Sequence, residues 1–127
     1  MGKIGYDRFI MYCSDKELIE ILNYLGKRFF IITESKGFWS DNPKDRNSGE
    51  CIALMHSELS EALEAVRNDN PPSKKIPEFS NLEEELADVI YRVLEYAHVH
   101  SLNVGGALLA KARFNATRPH KHGNKVF

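Results

Sequence analysis

Two short acidic clusters have the residue types and spacing to do chemistry together. They are Glu58-Leu59-Ser60-Glu61 and, 23 intervening residues later, Glu85-Leu86-Ala87-Asp88. Each pairs carboxylates three residues apart, which on a helix lie about 60° apart on one side. Two such helices facing each other would gather four carboxylates at one spot. Four negative charges a few ångströms apart repel unless something positive sits among them. An all-oxygen ligand set suits a hard divalent cation, Mg²⁺ with Mn²⁺ as a substitute. Mg²⁺ keeps several waters and is usually completed by substrate phosphates. The implied substrate is therefore a polyphosphate, and the implied nucleophile a metal-activated water.

The elements that must position these groups read as helices throughout. Ser14 followed by Glu17 forms a capping box that opens a first helix. Its stripe of Leu18, Ile21, Leu22, Leu25, Phe29 and Ile32 ends near Lys36, with Gly37 as the stop. A polar loop follows, carrying the adjacent aromatics Phe38 and Trp39. Asn47 or Ser48 can cap a second helix running to about Asn68. Its stripe, Ile52, Met55, Leu59, Ala62, Leu63 and Val66, predicts the core-facing side, with Ser57, Ser60, Glu64 and Arg67 opposite. Glu58 and Glu61 flank that stripe, whereas carboxylates kept for solubility would sit among the polar residues. The segment from Asn70 to Pro77 holds three prolines and cannot be helical throughout.

Ser80 with Glu83, and Asn81 with Glu84, offer two overlapping capping boxes for a third helix reaching about Ser101. This helix is expected to bury Leu82, Leu86, Val89, Ile90, Val93, Leu94 and Ala97. Asn103 can cap a short fourth helix, Val104 to about Asn115, which its two leading glycines weaken. The pattern predicts an all-α, four-helix-bundle-type fold. It forms one domain over residues 1–127, with residues 1–13 as an N-terminal extension and 118–127 as a basic tail.

Composition narrows the function classes. A chain of 127 residues with 43% hydrophobic and 28% charged residues is globular in character. A net charge of −1 gives no electrostatic case for nucleic acid. No run approaches the length of a membrane span, and no signal-peptide core precedes the first helix. Cys13 and Cys51 are too few for a disulfide framework. A cytoplasmic setting with reduced thiols is expected.

Beyond the acidic quartet, Lys111, Asn115 and Arg118 follow at intervals of four and three. They could bind phosphate and sugar oxygens, Arg118 in bidentate fashion, or simply complement a helix C-terminus. Phe38 and Trp39 could stack on a nucleobase, or close over the core. His56, His98 and His100 read as packing residues, and Cys51 as a small buried hydrophobe.

The order Glu-x-x-Glu, gap, Glu-x-x-Asp resembles the signature of the MazG-like all-α nucleoside triphosphate pyrophosphohydrolases. The segments 54–64 and 84–90 look like that superfamily's two metal-binding helices, and 111–123 like its C-terminal stretch. The resemblance covers roughly residues 15–123. It implies a helical bundle that assembles as a homodimer or homotetramer, with the site completed near subunit interfaces. It implies Mg²⁺-dependent cleavage of (d)NTPs between the α- and β-phosphates, giving the monophosphate and pyrophosphate, in removal of non-canonical or excess nucleotides. Glu58, Glu61, Glu85 and Asp88 would be metal ligands, with Glu61 or Glu58 acting on the attacking water. The resemblance also places base-recognising aromatics near Phe38 and Trp39. Two alternatives stay open: a phosphoribosyl-ATP pyrophosphohydrolase-like enzyme, and a non-catalytic nucleotide-binding helical oligomer.

Overall fold

The computed structural model describes residues 13–126, the side chain of His122 excepted. The N-terminal extension, apart from Cys13, and Phe127 of the tail lie outside the described residues. The described residues are all-helical: α1 (Asp15–Ser35), α2 (Ser48–Arg67), α3 (Asn81–Val99), α4 (Val104–Ala116) and the single turn α5 (Lys121–Asn124). A 3₁₀ turn, Pro43–Asp45, interrupts the loop before α2. Extended pairing among the described residues amounts to an isolated bridge between Pro72 and Ser80. No described helix is long and apolar enough to cross a membrane.

Local chemistry sets the helix ends. The Ser14 hydroxyl accepts from the Glu17 N–H at 3.1 Å, and the Asn47 side chain accepts from Glu50 N–H at 3.0 Å. Of the two boxes available to α3, the structure uses Ser80 with Glu83, where each side chain bonds the other's backbone N–H. Glu84 instead turns inward to Ser73 and Lys75. At the end of α1, Gly37 adopts φ +80°, and the N–H groups of Gly37 and Phe38 return to the carbonyls of Glu34 and Thr33. This Schellman arrangement aims the chain into the aromatic loop.

The chain divides into two compact units, one being Leu25–Leu102 and the other comprising the described residues up to Tyr24 and from Asn103 onward. In the second of these, α4 approaches α1 closely. A Cβ on Gly105 would lie 2.9 Å from the Ile19 carbonyl oxygen, so this glycine permits the contact as well as costing helix propensity. Asn23 ties the two helices, accepting from Gly105 N–H at 3.0 Å and donating to Asn103 Oδ1 at 2.8 Å. Arg113 pairs with Asp15.

In the Leu25–Leu102 unit, α2 and α3 form an antiparallel hairpin. Tyr96 Oη donates to Ser48 Oγ at 2.9 Å near one end, and Leu82 N–H donates to Asn70 Oδ1 at 2.8 Å near the other. The buried face of α2 runs through Cys51, Glu58, Ala62 and Ala65. Of the apolar stripe predicted to face the core, Ala62 is buried as expected, but Ile52, Leu59, Leu63 (50% exposed) and Val66 point outward. On α3, Leu94 and Ala97 are buried as predicted, but Leu86 and Ile90 (58% exposed) are not. The reason is steric. Ala62 and Ala65 let a neighbouring backbone come close, so the small-residue seam, one position off the bulky stripe, becomes the inner face. Across this hairpin, α1 meets α3 at Gly26, where a Cβ would fall 2.3 Å from the Leu94 carbonyl oxygen. Phe29 stacks on Tyr91 with ring centres 4.3 Å apart, and Tyr91 Oη donates to the Phe29 carbonyl at 3.0 Å.

Candidate metal centre and adjoining pocket

The hairpin brings Glu58 and Glu61 of α2 against Glu85 of α3, each offering an oxygen within 4.8 Å of the others. Glu58, 7% exposed, also accepts from Arg92 Nε at 2.6 Å. Asp88, the fourth carboxylate of the sequence motif, falls outside this triad and lines the adjoining pocket beside Glu58 and Glu61.

Crowding shows in the acidities. Burial pushes the Glu85 carboxyl up to about 7, reinforced by the charges of Glu61, Glu84, Asp88 and Glu58. Burial and the Glu58 charge also raise Asp88, against Lys75 and Arg92. Glu61 is raised by its hydrogen bond with Glu58, by burial and by the Glu58 charge, against Lys75. Glu58 is lowered: burial acts upward on it, but hydrogen bonds with Arg92, Glu61 and Glu85 outweigh that. Glu58 thus holds the charge while its neighbours are reluctant to ionise, as burial and mutual repulsion among crowded carboxylates dictate. The all-oxygen donor set and this mutual repulsion both fit a hard divalent cation.

A pocket of about 280 Å³ opens beside the triad. Its carboxylates Glu58, Glu61 and Asp88 are faced by Lys75 and Arg92. Lys75 comes from the proline-rich connection, where Asp69 and Asn70 take left-handed φ of 59° and 46°. The buried Ser73 hydroxyl accepts from the N–H groups of Lys75 and Ile76 at 3.1 and 3.0 Å and donates to Glu84. Lys75 Nζ in turn reaches Glu84 Oε1 at 2.8 Å. Along α3 the pocket extends from Asp88 to Glu95, seven residues and about 10 Å at 1.5 Å per residue. That far end adds Thr33, Phe38, Arg46 and Tyr91.

The two loop aromatics part company. Phe38 is 68% exposed and lines the pocket. Trp39 is 8% exposed and packs with Cys51, Val99, Phe30 and Tyr96, with the Arg46 guanidinium 4.9 Å from its ring centre. Of the two readings left open for Trp39, this burial fits the one in which the indole closes over the core. Its Nε1–H is shared between Glu95 Oε1 at 2.6 Å and Thr33 Oγ1 at 3.0 Å.

Lys111, Asn115 and Arg118 belong to the other compact unit. Lys111 and Asn115 are exposed on α4, and Arg118 follows its end. Lys111 Nζ and the Arg118 guanidinium lie 4.9 and 5.8 Å from the Phe114 ring centre. His98 and His100 pack on Phe30 and Tyr96, and Cys51 is buried, matching their reading as structural residues.

Lys75 and Glu95 escaped the sequence reading. A signal for Glu95 exists: Glu85, Asp88, Arg92 and Glu95 recur at intervals of three, four and three, a polar seam along one side of α3. Lys75 has no local signal, because only the fold of its connection carries it to the carboxylates.

No family model matches the chain, and no curated protein or solved structure shows significant similarity to it.

Proposed function

We propose that the chain is a MazG-like, Mg²⁺-dependent nucleoside triphosphate pyrophosphohydrolase, cleaving (d)NTPs between the α- and β-phosphates to the monophosphate and pyrophosphate. The observation that carries this reading is the Glu58–Glu61–Glu85 triad within 4.8 Å, opening into a pocket that also presents Lys75 and Arg92. Glu58, Glu61, Glu85 and Asp88 would hold the cation. When bound, it supplies Lewis-acid charge neutralisation at the phosphates. Lys75 and Arg92 face the negative charge that develops on the leaving pyrophosphate. Glu61, the exposed member of the triad, would be the one open to the attacking water and so suited to take its proton. The resemblance alone would give Lys111, Asn115 and Arg118 phosphate and sugar contacts.

In this reading the protein works in the cytoplasm on non-canonical or excess nucleotides, as a homodimer or homotetramer. The outward apolar residues of α2 and α3, Ile52, Leu59, Leu63, Val66, Leu86 and Ile90, support self-association, because one copy leaves them in water.

The test is pyrophosphate release from a panel of NTPs and dNTPs with Mg²⁺ and with EDTA. Metal-dependent release is expected, and Glu61→Gln should abolish it while leaving the helical fold intact. Nucleotide binding without turnover would instead make the chain a non-catalytic binder.

A further inference from the structure

The end of the pocket away from the carboxylate triad contains a polar group that the proposed hydrolysis does not use. Glu95 is buried, yet it lines the pocket two helical turns from Asp88. One of its oxygens, Oε1, takes the Trp39 indole N–H at 2.6 Å. The neighbouring hydroxyl of Thr33 accepts from the same indole, lies 3.2 Å from the Phe29 and Phe30 carbonyls, and also reaches Glu95. Tyr91 spends its hydroxyl proton on the Phe29 carbonyl. Arg46 directs its N–H groups to the Phe38 carbonyl and Glu50, and lies over Trp39. Among the described residues no hydrogen bond is recorded to the other oxygen of Glu95, Oε2. An acceptor held in place by Trp39 thus belongs to the pocket that the exposed Phe38 also lines. Burial raises the proton affinity of Glu95, opposed by hydrogen bonds from Trp39 and Thr33 and by the guanidiniums of Arg92 and Arg46. A ligand that donates to Oε2 replaces water on a carboxylate already held in position, so little side-chain entropy is lost.

We infer that Glu95 selects the base of the substrate, accepting a hydrogen bond from the exocyclic amino group of a cytosine- or adenine-type base stacked on Phe38. This inference rests on the nucleotide pyrophosphohydrolase reading. A base with a carbonyl at that position, uracil- or hypoxanthine-type, would set two acceptors against each other. A site built to hydrogen-bond its substrate rejects an analogue that leaves the site's buried group unpaired.

The experiment compares kcat/KM for pairs differing in the amino or oxo group, CTP against UTP and ATP against ITP, in the wild type and in Glu95→Gln. The wild type should favour the amino member by roughly 10- to 100-fold. In Glu95→Gln the amide oxygen can still accept from Trp39, which turns the amide N–H₂ toward the pocket, so the preference should collapse or invert. A wild type that turns over both members of each pair equally, or prefers the oxo member, overturns the inference and leaves the hydrolase reading standing. A variant in which both members fall by the same factor also overturns it, showing that Glu95 only anchors Trp39. Absence of metal-dependent turnover with any nucleotide removes the hydrolase reading, and this inference with it. The wild-type comparison can overturn the inference even if the variant does not fold.

Discussion

Glu85→Gln should stabilise the metal-free protein and abolish its stabilisation by Mg²⁺. The Glu85 carboxyl is raised from 4.5 to about 7 by burial and four neighbouring carboxylates. Between those pH values the folded state binds more protons than the unfolded state, so stability falls as pH rises through the window and is flat above it. At about 1.4 kcal/mol per pH unit, the loss is about 3 kcal/mol by pH 8. Gln carries no charge, so the variant should escape that loss at pH 8 and gain little at pH 4.5. In thermal melts with EDTA at pH 8, a gain of this size raises Tm by up to about 10 °C for a chain of this length. Added Mg²⁺ should raise the wild-type Tm, because a ligand that binds only the folded state stabilises it, and should move the variant little. A variant that melts at or below the wild type in EDTA at pH 8 would refute this, as would a difference between the two proteins that is the same at pH 4.5 and pH 8.

Three further outcomes can be checked. Gly26→Ala should cost about 1–3 kcal/mol in urea unfolding, despite the ~1 kcal/mol that alanine brings to a helix interior, because its Cβ meets the Leu94 carbonyl. A neutral result would mean that α1 and α3 do not approach this closely. Trp39→Phe removes the donor to a buried carboxylate and should cost about 1–3 kcal/mol, more at pH 8 than at pH 5, where Glu95 can take up a proton instead. Equal losses at both pH values would show that Glu95 gains nothing from the indole N–H. If the proposed oligomer forms through this face, Leu63→Glu combined with Ile90→Glu should shift the native mass in sedimentation to that of a single chain without changing helix content. A wild type with the mass of one chain would refute the oligomer, and an unchanged oligomeric mass would exclude this face.

What the sequence made legible is what depends on near neighbours. Ser14, Asn47, Ser80 and Asn103 each accept from a backbone N–H three residues on, and Gly37 takes the left-handed turn that ends α1. Glu58, Glu61 and Glu85 converge because a fixed helical period on two packed helices leaves few other arrangements. The inner face of α2 was not legible. Periodicity locates an apolar face but not the element that will cover it, and the bulky Leu59 and Leu63 outweigh the Ala62 and Ala65 that permit contact. Lys75 and the division of labour between Phe38 and Trp39 were hidden for a related reason. Both depend on loops whose course is set by distant partners, Glu84 for one and Glu95 for the other.

The divergence of Phe38 from Trp39 bears on how such a pocket could change over generations. Trp39 is bound to the rest of the unit by two hydrogen bonds and four packed neighbours, so nearly any replacement there disturbs folding. Phe38 is exposed at the rim. Position 38 can therefore vary with little penalty to the fold while altering what the rim offers a ligand. Adjacent positions separate the part of the site under folding constraint from the part open to drift, so mutational exploration of ligand preference can begin at a single exposed residue without prior stabilisation of the scaffold.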